Sequence, residues 1–510
     1  MSESWILDNE NLRTLKHKSG YLVYHRQKGG LCLLNDNALH YLQEYRQEKS
    51  PPRDEMPNAA NRNALFHEFF KRSFVTLANA PAAPCSQRPA DMAENDQLEN
   101  DQLENNQLEN DQLENNQLEN DQLENNQLTN NHVKIVQLVV TNDCNFSCSY
   151  CFENRRDPQN ERPANHQDEV HVLRNDEYRE KKNRVMTPQD AVHYIKTTID
   201  FLKSEHQSVL MIQFFGGEPL VNWKAIDAVL TTFGNGQEWG IPIYYSIVTN
   251  GSRVNQQIAA RLAQYQVAVC VSFDSPTSTD RVFKNGKNAR DNIVAGIQLL
   301  VQHRNRIAIN ATLSDSNWDD LNEDMVAFVA GLGVHEIGVV LELDPDFYVR
   351  HSAEQITEQL WRLIEAGKKH RVVITGYWHQ ISQLMVQINN VAQRGFKMCS
   401  AKGAQFSIEP NGSIYSCKGA SGYFGKISDG LSSVIHGENY RKHAALGLNN
   451  PAPCRGCGIE HFCSGICLGT LEKKYHDIDS IEPDACGVYR GITQRILSHY
   501  DAQDIPCFYL

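Results

Sequence analysis

No apolar run in this 510-residue chain approaches the roughly 18 residues a membrane-spanning helix needs. The opening residues, Met1–Asn9, are polar and acidic and lack the charged-then-apolar order of an export signal. A membrane protein and a Sec-exported one are thereby set aside, and a cytoplasmic location is expected. No basic patch stands out and the net charge is −13, which excludes a nucleic-acid partner. Clustered histidine is missing too: His132, His379, His461 and His476 stand apart and read as surface or core residues. What remains is a chain of ordinary globular composition, 41% hydrophobic and 22% charged, with length for about three domains. Its two unusual numbers are that charge and its 14 cysteines.

The charge has a local source. From Asp96 to Asn130 a five-residue unit, DQLEN or NQLEN, is repeated seven times, NQLTN being the last copy; the stretch holds ten acids and neither Lys nor Arg. A period of five builds no stripe on a helix and alternates faces on a strand, so the leucines cannot line a core. The segment reads as a solvated linker whose flexible span is roughly 30–35 Å.

Before it lies a small module. Gly20–Leu34 reads as two strands joined at Gly29-Gly30, Asn35–Tyr45 as an Asn-capped helix, and Asn61–Val75 as a second helical run. After it a βα rhythm begins. Strands are expected at Ile135–Val140, Val209–Phe214, Ile243–Val248, Val267–Phe273, Arg306–Leu313 and Glu336–Glu342. Helices are expected at Pro188–Ser204, Ile258–Tyr265, Asn288–His303 and Leu321–Leu332, the first opened by Thr187, Pro188 and Asp190. Six such units imply a parallel sheet, either doubly wound or curled into part of a barrel. Glu153–Arg184 is a charged insertion expected to form a surface loop. The aromatic run Tyr377-Trp378-His379 reads as packing. From about residue 396 the rhythm stops, and cysteines become frequent enough to organise the fold.

Cys144, Cys148 and Cys151 form C-x3-C-x2-C just after the first strand; Cys399, Cys417, Cys454, Cys457, Cys463, Cys467 and Cys486 follow later, with Cys32, Cys85, Cys270 and Cys507 isolated. Disulfides do not suit a chain without an export signal. Zinc suits Cys454 and Cys457 but not the first group, where three thiolates lack a nearby fourth ligand. Three thiolates do suit a 4Fe–4S cluster with one iron left open, at the strand end where parallel α/β folds place their chemistry. Directly after the second strand, Gly216-Gly217-Glu218-Pro219 lets backbone approach a ligand closely and offers carboxylate and carbonyl acceptors to an ammonium group.

C-N-F-S-C-S-Y-C-F (Cys144–Phe152) resembles the signature of the radical S-adenosylmethionine (SAM) family, and the GGEP segment resembles that family's SAM-binding motif. The resemblance implies a partial (β/α)6 TIM-like barrel in which the open iron binds SAM. Cleavage of SAM would give a 5′-deoxyadenosyl radical, with the electron coming from a donor such as flavodoxin or ferredoxin. It also implies cofactor contacts at Tyr150, Gly216, Gly217, Glu218, Asn250 (in Thr249-Asn250-Gly251), Ser272 and Asp274, although Ser275 stands where Gly often follows that Asp. The spacing of the later cysteines resembles the seven-cysteine SPASM domain, which implies two auxiliary 4Fe–4S clusters and three clusters in all. By that resemblance Cys454, Cys457, Cys463 and Cys486 ligate the outer one; Cys399, Cys417 and Cys467 ligate the inner one, leaving its fourth site to substrate, a non-Cys residue or a distant thiol such as Cys507.

SPASM enzymes mostly modify peptides. Gly20–Tyr45 resembles the small leader-peptide-binding domains of the pyrroloquinoline-quinone chaperone type, which add an extended peptide to a sheet edge. The expected division is therefore 1–85, a winged-helix-like peptide-recognition domain of α+β type; 86–131, linker; 132–395, radical SAM core; and 396–510, SPASM domain. The expected function is maturation of a small ribosomally made precursor peptide by a C–C or thioether cross-link. An anaerobic sulfatase maturase, which makes formylglycine, is the alternative; its pattern has an Asp base after the second SPASM cysteine, where this chain has Lys418. A non-catalytic iron–sulfur scaffold is the alternative of another class.

Overall fold

The computed structural model describes residues 5–7, 10–18, 20–25, 31–48, 75–77, 133–151, 184–342, 347–376, 399–420, 422–448, 452–460, 463, 465–475, 477–478, 480–499 and 507–508. The linker repeat, the insertion 153–183, the turn at Gly29-Gly30, the run 61–74, Tyr377-Trp378-His379, and His132, His461 and His476 lie outside the described residues. The chain divides into two compact units: Met1–Thr14 with Ser19–Asn130 and Pro506–Leu510, and Leu15–Lys18 with Asn131–Ile505.

Near the start of the chain, strands β1 (Trp5–Leu7), β2 (Leu12–His17), β3 (Gly20–His25), β4 (Leu31–Leu34) and β5 (Val75–Leu77) form two sheets, all of them in the smaller unit save Leu15–His17 of β2. β1 and β5 pair antiparallel, Trp5 opposite Leu77. Val75 thus belongs to a strand, not to the end of a helix as the sequence suggests; its β-branched neighbourhood is satisfied by pairing across the sheet. β3 and β4 form the expected antiparallel pair, Tyr21 opposite Leu34. Leu22, Val23, Leu33 and Leu34 are buried beside Ala38 and Leu42 of the helix Asp36–Glu48. That helix starts where Asn35 Oδ1 accepts the Ala38 N–H at 2.9 Å. The outer neighbour of β4 is a two-residue strand from the far end of the sequence, Cys507–Phe508, running parallel with Cys507 opposite Leu33.

The larger unit is built on one ten-stranded sheet. β6 (Ile135–Thr141), β7 (Leu210–Gly216), β8 (Ile243–Thr249), β9 (Ala268–Ser272), β10 (Ile307–Leu313), β11 (Glu336–Leu341) and β12 (Val373–Thr375) follow one another in space, all parallel. Successive strands are joined by the helices Pro188–Ser204, Trp223–Phe233, Gln256–Gln264, Arg290–Gln302, Glu323–Gly331 and Ala353–His370. This is the partial TIM-like barrel. The Pro188–Ser204 helix has the expected limits because Thr187 caps it, accepting the Asp190 N–H at 3.0 Å, with Pro188 at the first position. The three-residue β12 escapes sequence reading because it is too short to show a pattern.

Beyond β6 the sheet continues with β13 (Gln405–Ile408), parallel to β6, then β14 (Ser413–Tyr415) and β15 (Tyr423–Lys426), antiparallel. The cysteine-rich segment is therefore grafted onto the barrel sheet by backbone hydrogen bonds. It also carries a long helix, Pro483–His499, absent from the sequence reading. Its Gly487 and Gly491 let it press on the Ala353–His370 helix, since a Cβ at Gly491 would stand 2.6 Å from Thr357 Oγ1. Ile459, Ile466, Leu471, Ala485 and Tyr489 form a small core, with Tyr348, Cys457, Cys463 and Cys486 packed against it.

Candidate functional site

β6 delivers the chain into the loop carrying Cys144, Cys148 and Cys151. Neighbouring backbone pins the loop: Ser147 N–H donates to Val282 O at 2.8 Å, Lys284 N–H to Asn145 O at 3.2 Å, and Phe146 packs edge-on to Phe283 at 5.0 Å. Phe146 N–H points at Cys144 Sγ, 3.4 Å away. Burial pushes the Cys144 thiol up to about 11 and Cys148 up to about 12, with the neighbouring cysteines adding to both shifts. Raised by burial, these thiols do not read as low-pKa nucleophiles.

β7 ends at Gly216, and Gly217 passes beside the cysteine loop. A Cβ on Gly216 would meet Thr141 O at 2.3 Å, and one on Gly217 would meet Asp143 O at 2.7 Å. Gly217 N–H donates to Thr141 O and Glu218 N–H to Asp143 O, both at 2.9 Å, closing the two segments together. Glu218 is buried, and burial raises its carboxyl above the ordinary range against the donors that it accepts from. Those donors are Thr249 Oγ1–H at 2.6 Å and Leu220 N–H at 3.0 Å on one oxygen, and Asn250 N–H at 2.7 Å on the other. The carboxylate read from the sequence as an ammonium acceptor thus also holds the turn after β8, while Gly216 and Gly217 bring carbonyl-bearing backbone to the site. Asn250 extends the tie, donating from Nδ2 to Asn145 Oδ1 at 2.9 Å.

Asp274, just past β9, is a hub. Its oxygens accept both Arg281 Nε and Nη2 at 2.9 Å, the Thr312 N–H at 3.0 Å, and the Tyr150 hydroxyl. Arg281 also lies over the Tyr150 ring, 5.4 Å from its centre. Burial pushes the Tyr150 phenol well above its ordinary range, Arg281 opposing and Asp274 reinforcing, so it stays a donor. A second acid, Asp280, accepts Ser149 Oγ–H at 2.6 Å and the Ser316 hydroxyl. Tyr150, Asn250 and Asp274 are therefore brought together around the cysteine loop. Ser272 lies at the end of β9, opposite Asn310 of β10. Arg281 and Asp280 were not legible in the sequence, since no motif marks them; Asn145 lies inside the cysteine motif, but nothing there gives it a role.

In the C-terminal segment, burial pushes Cys486 up to about 12, and Cys463, Cys454 and Cys457 add to it. Cys399 is likewise raised by burial and by Cys467. Backbone N–H groups point at sulfur, Gly419 at Cys417 and Gly465 at Cys463, each at 3.3 Å. Cys507 lies in the smaller unit's sheet, paired with Leu33.

Residues 138–328 match the model of the Radical SAM superfamily, and residues 399–458 match that of an iron-sulfur cluster-binding domain, SPASM. The chain is 39% identical over 365 residues to the radical SAM cyclopropyl synthase TigE of Paramaledivibacter caminithermalis, covering 72% of this chain and 74% of the relative. The chain belongs to the radical SAM superfamily, with a SPASM domain. Solved structures agree at the level of fold. anSMEcpe with bound AdoMet superposes with a TM-score of 0.56 at 16% identity, covering 71% of this chain and 93% of that one. Streptococcus suis SuiB bound to precursor peptide SuiA gives 0.50 at 14% identity, covering 94% and 98%.

Cysteine is the residue type that the family's clusters use, and among the described residues no three metal-ligating side chains are already gathered into a site. Part-buried thiols met by backbone N–H groups, as at Cys144, Cys417 and Cys463, are donors of the kind iron–sulfur clusters take. At Gly216-Gly217 the missing Cβ atoms let this turn lie directly against the backbone of Thr141 to Asp143, which sets it beside the cysteine loop. Gly217→Ala is expected to keep the barrel folded while weakening SAM binding at least about tenfold, because its methyl group meets the rigid Asp143 backbone. Equilibrium dialysis with labelled SAM and circular dichroism check this.

Proposed function

We propose that this radical SAM enzyme modifies a small ribosomally made precursor peptide by hydrogen abstraction, and that the bond formed is carbon–carbon. The observation that carries the reading is the 39% identity, over 74% of its length, to a relative named for building a cyclopropyl ring. A three-membered ring closes by a new C–C bond with loss of two hydrogens, the same balance as a cross-link. SuiB, of like fold, is known with a precursor peptide bound.

Cys144, Cys148 and Cys151 would hold the SAM-binding cluster. Cys454, Cys457, Cys463 and Cys486 would hold the outer auxiliary cluster, and Cys399, Cys417 and Cys467 the inner one, three 4Fe–4S clusters in all. When bound, SAM and the clusters would supply a 5′-deoxyadenosyl radical and an acceptor for the second electron. Gly216, Gly217 and Asn250 would line the SAM site with Ser272 and Tyr150, while Glu218 and Asp274 hold that lining in place. Residues 1–85 would recognise the peptide, 86–131 tether that domain, 132–395 form the core and 396–510 the SPASM domain, with flavodoxin or ferredoxin as electron donor in the cytoplasm.

The test is anaerobic co-expression with the small open reading frame beside the gene, followed by mass spectrometry. A peptide lighter by two hydrogens, with the change mapped to carbon by fragmentation, is expected. A peptide cysteine turned to an aldehyde would instead favour the formylglycine reaction. Lys418, where that reaction's pattern has an Asp, speaks against it.

A further inference from the structure

The least expected polar group in the larger unit is Lys418, whose side chain is 0% exposed, beside Glu409 at 1%. Burying two charges is costly unless they are paired and hydrogen-bonded, so such a pair needs a reason beyond stability. Lys418 Nζ lies 3.7 Å from Glu409 Oε1 and donates to Asn142 Oδ1. Asn142 Nδ2 donates in turn to Glu409 Oε2 at 3.2 Å, closing a triangle. The Lys418 backbone is fixed as well, its N–H donating to Gln137 Oε1 at 2.9 Å, and Gln137 Nε2 to Gln213 Oε1 at 2.7 Å across β6 and β7. Glu409 follows β13, which is in parallel register with β6, Ile408 opposite Leu138.

The sequence positions give the triangle its meaning. Asn142 stands two residues before Cys144, and Lys418 directly follows Cys417. One hydrogen-bonded unit therefore spans from the loop with the first radical-cluster cysteine to the turn with an inner auxiliary-cluster cysteine. We propose that Lys418, Glu409 and Asn142 are positioning residues that lock these two cysteine-bearing segments together and so set the cysteine loop in the orientation that SAM cleavage needs. Lys418 is not a substrate base in this arrangement; it is a fixed cation held by a fixed anion. The inference rests on the cluster-ligand assignment of Cys144 and Cys417. Failure of that assignment would appear as unchanged iron content in C144A and C417A, a result separate from any effect of the lock.

Two variants test the lock without stranding a charge. Asn142→Ala keeps the ion pair but cuts its link to the loop; Lys418→Met with Glu409→Gln removes both charges together. Each is expected to keep wild-type iron content, and Asn142→Ala to melt somewhat lower because it takes a hydrogen-bond partner from both buried groups. Each should form 5′-deoxyadenosine from SAM and dithionite, without peptide, at least about tenfold more slowly. Each should also alter the change that SAM induces in the EPR spectrum of the reduced enzyme, which a purely structural role would leave alone. Wild-type SAM cleavage and a wild-type EPR response in Asn142→Ala would overturn the proposal. So would the same pair of results in the double variant. If either variant loads less iron, the readouts are taken per loaded enzyme and the same outcomes decide.

Discussion

Alanine in place of Cys144, Cys148 or Cys151 is expected to abolish 5′-deoxyadenosine formation, a loss of more than about a thousandfold, while the iron held by the C-terminal cysteines stays. The effect should be chemical, not a failure to fold. The loop's shape is set by groups other than the thiols: the Phe146–Phe283 contact, the Ser147-to-Val282 and Lys284-to-Asn145 backbone bonds, and the Asn250-to-Asn145 side-chain bond. Removing one sulfur leaves these in place and removes one of only three donors, and a cluster with one open iron has no spare ligand to lose. Iron analysis, circular dichroism and chromatography of the SAM products check the three parts together. Continued 5′-deoxyadenosine formation in any one variant would sink the assignment of these cysteines.

Asp274→Ala should act through stability as well as chemistry. The carboxylate is buried and accepts four donors, two of them from Arg281, whose own side chain is only 13% exposed. Breaking a buried pair from one side leaves the other charge unpaired, at a cost of about 3–5 kcal/mol. The same change frees the hydroxyl of Tyr150, the residue before Cys151 in the cysteine loop, so SAM cleavage should fall in whatever protein folds. Asp274→Asn is the informative comparison. It keeps the shape and one acceptor oxygen but turns an amide N–H₂ toward Arg281, so its destabilisation should be smaller and of the same sign. Urea melts rank the three proteins; an alanine variant as stable as wild type would show that the Asp274–Arg281 pair does not hold this side of the site.

The core strands were readable because β6 to β11 are Val/Ile-rich runs separated by turn residues, the pattern a buried parallel strand imposes. The Pro188–Ser204 helix was readable because its cap is spelled by Thr187 and Pro188. The cysteine loop and the Gly216-Gly217 turn showed themselves because their chemistry demands particular residue types at fixed spacing. Arg281, Asp280, Lys418 and Glu409 did not, since an ordinary Arg, Asp, Lys or Glu on a single sequence looks solvated until the fold buries it. Glu218 shows the limit most plainly. The motif was legible, but that its carboxylate is engaged by Thr249, Asn250 and Leu220 depends on where β8 ends, which no local pattern states. The helix Pro483–His499 was hidden for another reason: Gly487 and Gly491 lower its helix propensity, and only the close approach to Ala353 and Thr357 explains them.

The strand Cys507–Phe508 beside β4 has a consequence for how the protein is made. Some 470 residues separate Leu34 from Cys507. At about 5–20 residues per second the ribosome needs on the order of a minute between them. Throughout that interval the outer edge of β4 lacks the neighbour it has in the finished fold. An open strand edge invites pairing with whatever extended segment is near. β4 thus waits for its outer neighbour until the whole barrel has been made, so a ribosome that stalls within the barrel leaves a nascent chain with an adhesive strand edge.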